Sequence, residues 1–293
     1  GGHSRLGLST GNSEDEAARV VQRALELGIN LIDTAEVYGT EAVVGRALRS
    51  ARREDVILCT KKLPSADGVP LDAAGLRAGV ERSLRLLGTD YVDIFYLHAV
   101  APGEYERVVR DLLPVLQELK REGKIRFIGL TEGFSTDPGH EMLGRALRDG
   151  FWDAVMAGFN IINQSARARV LPAAGAVGSA FVNMFAVRRA LSRTDLLAEL
   201  LLDLKKRGLV EPEALPAADP LGFLMHPGGA ESLVDAAYRF CRDEPGIHVV
   251  LSGTGNVTHL EANHASFQRP PLPAADRARL AEIFARVDCV SGN

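Results

Sequence analysis

Cysteine is scarce in this chain of 293 residues, and its three cysteines are odd in number and far apart. That pattern argues against a disulfide framework and predicts a cytoplasmic protein. No apolar run approaches the ~20 residues that span a membrane, and the polar start shows no signal-peptide pattern. With a formal net charge of -4, the chain also lacks the basic excess typical of nucleic-acid binding. Neither a membrane nor a nucleic acid is expected as a partner.

Apolar residues are plentiful, at 46% of the chain, and recur in short runs that alternate with amphipathic stretches. Length alone allows two domains or one large barrel. The runs begin at about residues 29, 56, 91, 125, 153, 179 and 247, a spacing typical of buried parallel strands in βα units. We therefore expect an α/β fold, a (β/α)8 TIM barrel built by residues 1–293 as a single domain.

A (β/α)8 barrel has eight strands, whereas only seven runs can be counted. Helical patterning already begins at Ser13, so the first strand is predicted to be missing or truncated at the N-terminus. The long final step contains an insertion at about 190–229, with a helix over 193–207 and then a loop rich in proline and alanine. The insertion lies between a strand and the next crossover helix, over 230–241, so it is expected above the barrel mouth.

Side chains suited to proton transfer follow three successive predicted strands. Asp33 and Tyr38 follow the first strand, and His98 follows the third. Lys61 and Lys62 both end the second strand, and spacing does not choose between them. Barrel active sites form at these strand ends. An ammonium beside Tyr38 should lower its pKa, which suits reduction of a carbonyl by a hydride donor.

A candidate phosphate site follows the last predicted strand, at Ser252, Gly253, Thr254, Gly255 and Asn256. Small residues at a strand–helix junction let backbone amides approach a phosphate at the helix N-terminus. Loops after the last barrel strands often bind phosphate in this way. The same residues also fit an ordinary turn with an asparagine cap, and sequence alone leaves both interpretations open.

Several motifs resemble the aldo-keto reductase family. The matching blocks are GINLIDTA with VYG at 28–39, TK at 60–61, YLH at 96–98, GKIRFIGL at 123–130, GTGN at 253–256 and HLEAN at 259–263. The resemblance implies a barrel that binds NADP or NAD without a Rossmann domain. It implies a catalytic tetrad of Asp33, Tyr38, Lys61 and His98, with Tyr38 as general acid in reduction and general base in oxidation. It also favours Lys61 over Lys62, because the family lysine directly follows a Ser or Thr.

The same resemblance assigns nicotinamide contacts to Thr131, Glu132 and Met184. The family usually has Ser-Asn at the first two positions and an aromatic residue near the third, at Met184 or Phe185. It also usually has Gln where this chain has Met156. These departures put the nicotinamide contacts in question.

The adenosine end of the cofactor shows further departures. Members that prefer NADP place a lysine where Gly253 lies and an arginine where His259 lies, and these cations pair with the 2′-phosphate. Asn263 is the expected adenine contact. The predicted cofactor is therefore NADP or NAD.

The predicted function is NAD(P)(H)-dependent reduction of aldehydes or ketones, or oxidation of sugar-like alcohols. Candidate pocket residues are His3, Ser4, Arg5, Phe223 and His226, whereas Trp152 is assigned to the core. An aromatic content of 6% favours small or sugar-like carbonyls. The alternative is a non-catalytic cofactor-binding barrel with a regulatory or interaction role, which has no need of a complete tetrad. A metal-dependent hydrolase is disfavoured, because His98 is the one histidine at a predicted strand end.

Overall fold

The computed structural model describes residues 2–66 and 68–292 and divides into two compact units. The first unit comprises residues 1–132, 151–155 and 253–262, and the second comprises residues 133–150, 156–252 and 263–293. Gly1, where the truncation is predicted, lies outside the described residues, as does the side chain of His3. The assignment of the whole chain to one domain stays a prediction.

Four parallel strands form the sheet of the first unit. They are β1 (Leu31–Asp33), β2 (Ile57–Lys62), β3 (Val92–Val100) and β4 (Ile125–Glu132). Neighbours in the chain are neighbours in the sheet, and the register places Lys61 beside Tyr96 and Tyr96 beside Gly129. Nearly every residue of β3 is buried, as expected for a parallel strand covered on both faces.

Helical segments connect these strands. The α-helices of the first unit are Glu14–Glu26, Glu41–Leu48, Ala73–Leu87, Tyr105–Arg107 and Leu113–Arg121, with a π-turn at Val108–Leu112. Short 3-10 segments lie at Gly2–Thr10, Glu36–Tyr38, Arg53–Asp55 and Pro102–Glu104. Ser13 caps the first helix: its hydroxyl accepts from the backbone N–H of Glu16, and the Glu16 carboxylate accepts from the backbone N–H of Ser13.

A two-stranded antiparallel hairpin, Ser65–Ala66 with Val69–Pro70, follows β2 and was not predicted. Strands of two residues are too short for alternation to reveal them. The core assignment of Trp152 is confirmed, because its side chain is 3% exposed and its indole N–H donates to the hydroxyl of Tyr105 at 3.2 Å.

The remaining strands are β5 (Ala154–Gly158), which begins in the first unit and continues in the second, β6 (Ala180–Met184) and β7 (Val249–Val250). β6 and β7 pair in parallel. The α-helices of the second unit are Glu141–Asp149, Ala166–Arg169, Leu171–Val177, Arg189–Ser192, Thr194–Lys206, Leu233–Arg242 and Ala274–Ile283, with 3-10 turns at Pro212–Ala214 and Gly222–Leu224. Helix Val257–Gln268 has residues in both units.

The seven predicted strands are all present, and two helix boundaries need correction. The helix predicted over 193–207 spans Thr194–Lys206, and the extended backbone of Arg193 separates it from an additional short helix, Arg189–Ser192. The helix predicted over 230–241 begins at Leu233, because the Ser232 side chain caps it by accepting from the backbone N–H of Asp235. From residue 2 onward, no described strand precedes β1. Across the described residues, no helix is long and apolar enough to cross a membrane.

Candidate active site

Lys61 and Asp33 form a buried ion pair at the ends of β2 and β1. The Nζ of Lys61 lies 2.6 and 2.5 Å from the two carboxylate oxygens of Asp33 and 2.9 Å from the carbonyl oxygen of Thr34. The Lys61 side chain is 1% exposed, so these acceptors replace the water that would otherwise stabilise its charge. Of the two candidate lysines, it is therefore Lys61 that contacts Asp33.

Lys62 lies on the opposite side of β2 from Lys61 and has its own carboxylate partner. Its Nζ lies 2.5 Å from Oε2 of Glu36, and both side chains of this pair remain partly exposed. The stem of Lys62 packs on Gly79, where an added Cβ would lie 2.4 Å from the Lys62 Cδ. Adjacent strand residues face opposite sides, which explains why two neighbouring lysines have separate environments.

Tyr38 is held over this ion pair by a short turn. The 3-10 segment Glu36–Tyr38 ends at Gly39, whose φ of 62° lies in the left-handed region that glycine adopts readily. The Tyr38 hydroxyl lies 3.4 Å from Nε2 of His98, and the Nζ of Lys61 lies 5.3 Å from the centre of the Tyr38 ring. The structure thus brings Asp33, Tyr38, Lys61 and His98 together.

The pKa of Tyr38 is raised, so the expectation of a lowered value is wrong. Burial raises this pKa, the ammonium of Lys61 acts to lower it, and the carboxylate of Asp33 raises it again. Lys61 acts in the expected direction, but Asp33 opposes it and desolvation prevails.

His98 and Lys61 differ in charge: the imidazole is neutral and the lysine is positively charged. Burial, with a further contribution from Lys61, lowers the pKa of His98 to about 3, so its imidazole is neutral at neutral pH. Burial acts to lower the pKa of Lys61 as well, but the charge of Asp33 and the Tyr38 phenol together raise it. Lys61 therefore stays an ammonium.

Tyr96 belongs to this cluster, and sequence reasoning missed it. Its side chain is fully buried, and its ring centre lies 6.0 Å from the Nζ of Lys61. Its hydroxyl and Nδ1 of His98 are buried without a hydrogen-bond partner in the part of the chain that the structure describes. Gly129 provides room for the ring, since a Cβ there would lie 2.2 Å from the ring atom Cδ1. The available signal was the i, i+2 spacing of Tyr96 and His98 on one strand face.

Thr131 stabilises a bulge next to His98. The backbone N–H of Ala99 donates to its hydroxyl at 2.7 Å, where the pairing of β3 with β4 shifts register and Ala99 has a φ of 52°. Glu132, the next residue, is 2% exposed. The nicotinamide contacts assigned to Thr131 and Glu132 stay predictions.

The loop 253–256 of the first unit leads into helix Val257–Gln268. The Asn256 side chain caps this helix by accepting from the backbone N–H of His259 at 3.0 Å, as the turn interpretation expects. The backbone N–H of Asn256 donates to the Thr254 hydroxyl at 3.1 Å. The Cβ position of Gly253 faces open space. The cap and a phosphate contact are compatible, because the Gly253 side of the loop stays unobstructed.

Gly255 contacts the N-terminal segment of the same unit. A Cβ at this position would lie 2.4 Å from the backbone nitrogen of Gly7. The Asn12 amide joins the two segments by donating to the carbonyl oxygens of Leu6, at 3.0 Å, and of Gly255, at 2.7 Å. A glycine is required at 255 for this close backbone approach.

In the second unit the structure brings together two of the predicted cofactor residues. The Ser252 hydroxyl lies 3.0 Å from the amide nitrogen of Asn263 and 3.0 Å from the Tyr238 hydroxyl. Met184 ends β6 and is 9% exposed, and Met156 is buried in β5. The cofactor contacts assigned to Ser252, Asn263 and Met184 stay predictions.

Arg188 and Arg189 of the second unit follow β6 and were also missed. One Arg188 nitrogen donates to the Ser135 hydroxyl at 3.0 Å, and its guanidinium lies 3.8 Å from the centre of the Phe185 ring. Its Nε is buried without a hydrogen-bond partner, and neither arginine has an ion pair among the described residues. Burial and the like charge of Arg189 lower the pKa of Arg188. Two consecutive arginines directly after a strand were the available signal.

The candidate pocket residues have different surroundings. In the first unit, the Nε of Arg5 donates to the carbonyl oxygen of Tyr38 at 2.6 Å. In the second unit, Phe223 stacks under the guanidinium of Arg279, and Nε2 of His226 lies 2.9 Å from a carboxylate oxygen of Asp276. Both of these late-loop residues therefore contact helix Ala274–Ile283.

Within residues 2–66 and 68–292, no cluster of three or more His, Cys, Asp or Glu side chains is placed to hold a metal ion. All three cysteines, Cys59, Cys241 and Cys289, are free thiols.

Comparison with known proteins identifies the family. The sequence model of the aldo/keto reductase family matches residues 1–285. The chain belongs to the aldo/keto reductase family. This family of oxidoreductases is the one that the sequence motifs indicated.

Curated aldo-keto reductase relatives match part of the chain. An L-galactose dehydrogenase of Arabidopsis thaliana is 39% identical over 136 residues, which are 44% of this chain and 43% of that protein. An aldo-keto reductase of Mycobacterium sp. (strain MCS) is 42% identical over 134 residues, 44% of this chain and 45% of that protein. The chain thus spans less than half the length of these curated relatives.

Solved aldo-keto reductases match nearly the whole chain. The holo form of a Bacillus halodurans aldo-keto reductase superposes with a TM-score of 0.71 at 25% identity, over 96% of this chain and 90% of that one. A Klebsiella pneumoniae aldo-keto reductase in complex with NADPH has a TM-score of 0.67 at 20% identity, over 95% and 88% of the two chains. The predicted fold class is confirmed: an α/β fold of the (β/α)8 barrel type, without a described first strand.

Proposed function

We propose that this aldo-keto reductase reduces aldehydes or ketones with NADPH or NADH, or oxidises sugar-like alcohols in the reverse direction. The observation that carries the proposal is the placement of the Tyr38 hydroxyl against neutral His98 and above the Lys61–Asp33 ion pair. A general acid must be protonated at working pH and must stand where charge develops. Tyr38 meets the first condition, and Lys61 supplies the charge stabilisation required by the second.

The residues of the first unit fit an anionic dinucleotide. The loop 253–256 has open space at Gly253 and leads directly into a helix of twelve residues, whose N-terminus favours a phosphate. We assign Gly253, Thr254, Gly255, Asn256 and His259 to the cofactor on this basis. When bound, a reduced nicotinamide supplies the hydride that the carbonyl carbon accepts.

Residues of this chain donate the proton and stabilise the charge that forms. Tyr38 donates its hydroxyl proton to the carbonyl oxygen as that oxygen gains negative charge. The Lys61 ammonium stabilises the phenolate that results, and Asp33 keeps Lys61 in place. His98, whose imidazole is neutral, shares a hydrogen bond with Tyr38 through Nε2 and orients the carbonyl oxygen. In alcohol oxidation the same groups act in reverse, with Tyr38 as the base.

In the second unit, we assign Met184, Ser252 and Asn263 to the same cofactor. The assignment rests on the family pattern and on the hydrogen bond that joins Ser252 to Asn263. Gly253 and His259 stand where NADP-preferring members have the lysine and arginine that pair with the 2′-phosphate. Without those two cations, NADH should bind at least as well as NADPH. Fluorescence titration of the two cofactors measures this ratio directly.

Further observations support the substrate class and the cellular location. The partial match to an L-galactose dehydrogenase, together with an aromatic content of 6%, supports small or sugar-like carbonyl compounds. Three free thiols support a cytoplasmic location. The alternative of a non-catalytic cofactor-binding protein is supported by the departures at Thr131 and Glu132, and the complete tetrad counts against it.

Tyr38→Phe tests the proposal. The phenylalanine ring keeps the packing but lacks the transferable proton, so kcat should fall by about 10²–10⁴-fold. The cofactor dissociation constant, measured by nicotinamide fluorescence, should stay unchanged. Normal turnover in Tyr38→Phe would overturn the assignment, and a wild-type protein that binds cofactor but reduces no aldehyde in a broad panel would favour the binding protein.

A further inference from the structure

We propose that Arg5 binds a carboxylate of the substrate, so that the preferred carbonyl compounds are oxoacids or aldehyde acids. The inference rests on the proposed function, because it names the substrate class of the Tyr38 site. It begins from the guanidinium of Arg5, which is hydrogen-bonded to the backbone of Tyr38 and has no carboxylate partner among the described residues.

The position of Arg5 is set by one hydrogen bond and one close approach. Its Nε donates to the carbonyl oxygen of Tyr38 at 2.6 Å, and its Nη2 lies 2.6 Å from the point that a Cβ of residue 39 would occupy. Gly39 therefore makes room for the guanidinium. The side chain is exposed, and over the described residues it makes no ion pair. The donors beyond Nε remain available for a planar carboxylate.

The backbone that carries Arg5 has an unusual conformation. Arg5 and Leu6 have φ angles of 49° and 60°, in the left-handed region that residues with a Cβ rarely adopt. The segment is kept there by Asn12, whose backbone N–H donates to the carbonyl oxygen of Gly7 and whose side chain donates to that of Leu6. Such conformations persist only where neighbouring structure enforces them, and they concentrate at binding sites.

Two cations, Lys61 and Arg5, contact Tyr38, and of these Arg5 has no ion-pair partner among the described residues. Lys61 is neutralised by Asp33, and Lys62 by Glu36. His98 is uncharged at neutral pH. A substrate carboxylate would therefore meet a guanidinium that pairs with no anion among the described residues and that contacts the backbone of Tyr38, the residue that supplies the proton. A neutral substrate of the same shape would leave this donor set unused.

The test compares 4-formylbenzoate with its methyl ester, two aldehydes that differ in one charge. We expect wild type to favour the carboxylate in kcat/KM by at least tenfold, with a KM that rises with salt between 20 and 200 mM. Arg5→Gln should reduce the carboxylate-to-ester ratio at least tenfold, and Arg5→Lys should retain part of it. Arg49→Gln is the matched control, because Arg49 is also exposed and has no ion pair among the described residues.

The two kinetic outcomes that follow would each contradict a carboxylate-binding role for Arg5. An equal loss on both aldehydes in Arg5→Gln would show that Arg5 only braces the Tyr38 turn, and a wild type without preference would likewise overturn the proposal. Calorimetric binding of 4-(hydroxymethyl)benzoate separates this inference from the proposed function. Binding that depends on Arg5 in a protein that reduces no aldehyde would refute the reductase assignment and keep the carboxylate site.

Discussion

Lys61 and Lys62 are neighbours on one strand, carry the same charge and each contact a carboxylate at 2.5 Å, yet their situations differ. The Lys61 side chain is 1% exposed and its partner Asp33 is 13% exposed, whereas Lys62 and Glu36 are 17% and 22% exposed. Strand alternation sends one lysine to the Tyr38 cluster and the other to the opposite face. The environment of each lysine, and not its residue type, therefore decides which ion pair takes part in catalysis.

The largest expected difference between the two lysines is in catalysis. Lys61→Met removes the ammonium that stabilises the Tyr38 phenolate, so kcat should fall by about 10²–10⁴-fold. Lys62→Met, the matched control, should stay within about threefold of wild type, since Lys62 does not contact the tetrad. Steady-state kinetics with one aldehyde and saturating cofactor measures both. Equal losses of kcat in the two variants would show that the two lysines do not differ in their contribution to catalysis.

The next largest difference concerns stability. Removing one member of a buried ion pair leaves the other charged and unpaired, so Lys61→Met should cost about 3–5 kcal/mol in the free energy of unfolding. Asp33→Asn in the Lys61→Met background should recover part of that cost, because it removes the stranded carboxylate. Urea unfolding of the single and double variants provides the measurement. Strictly additive losses would mean that the two residues do not interact energetically.

A smaller effect is expected from the packing behind Lys61. Gly129→Ala would press a methyl group into the Tyr96 ring, and overpacking of this kind costs about 1–3 kcal/mol. Gly103→Ala is the control in the same unit, since no described atom beyond its chain neighbours lies within 4 Å of its Cβ position. Thermal unfolding of both variants compares them. A Gly129→Ala protein as stable as Gly103→Ala would show that Tyr96 moves aside easily.

The Lys62–Glu36 ion pair should contribute little to the free energy of unfolding. Partly exposed ion pairs add about 0–1 kcal/mol, so Lys62→Met should change the free energy of unfolding by no more than that. The change should shrink further in 0.5 M salt, which screens the wild-type pair. A loss as large as that of Lys61→Met would mean that burial does not distinguish the two pairs.

The smallest expected effect is that of pH on reduction. Between pH 5 and 8, kcat should vary by less than about twofold, because the pKa of His98 lies near 3 and those of Tyr38 and Lys61 lie above their ordinary values. The protonated Tyr38 and neutral His98 that reduction needs are thus both present throughout this range. A clear inflection near pH 6.5 would show that His98 titrates, and that it is less buried than the structure indicates.

Much of this organisation could be predicted from local sequence. Buried parallel strands have apolar runs that a single sequence displays, and the strand ends brought Asp33, Tyr38 and His98 into one group. The choice of Lys61 needed either the family motif or the contact with Asp33. The direction of the Tyr38 pKa was predicted wrongly, because desolvation depends on packing from several strands that no local pattern reveals. Tyr96 and Arg188 were missed although local sequence offered a signal for each, whereas the hairpin after β2 was missed because its two-residue strands are too short to show alternation.

The single tryptophan gives the molecule a built-in optical probe. Trp152 is buried in the first unit and hydrogen-bonded to Tyr105 there, so its emission reports the unfolding of that unit. Circular dichroism in the far ultraviolet, by contrast, reports helices from both units. Coincident denaturation curves from the two signals would mean that the units unfold cooperatively, and separate curves would give each unit its own stability.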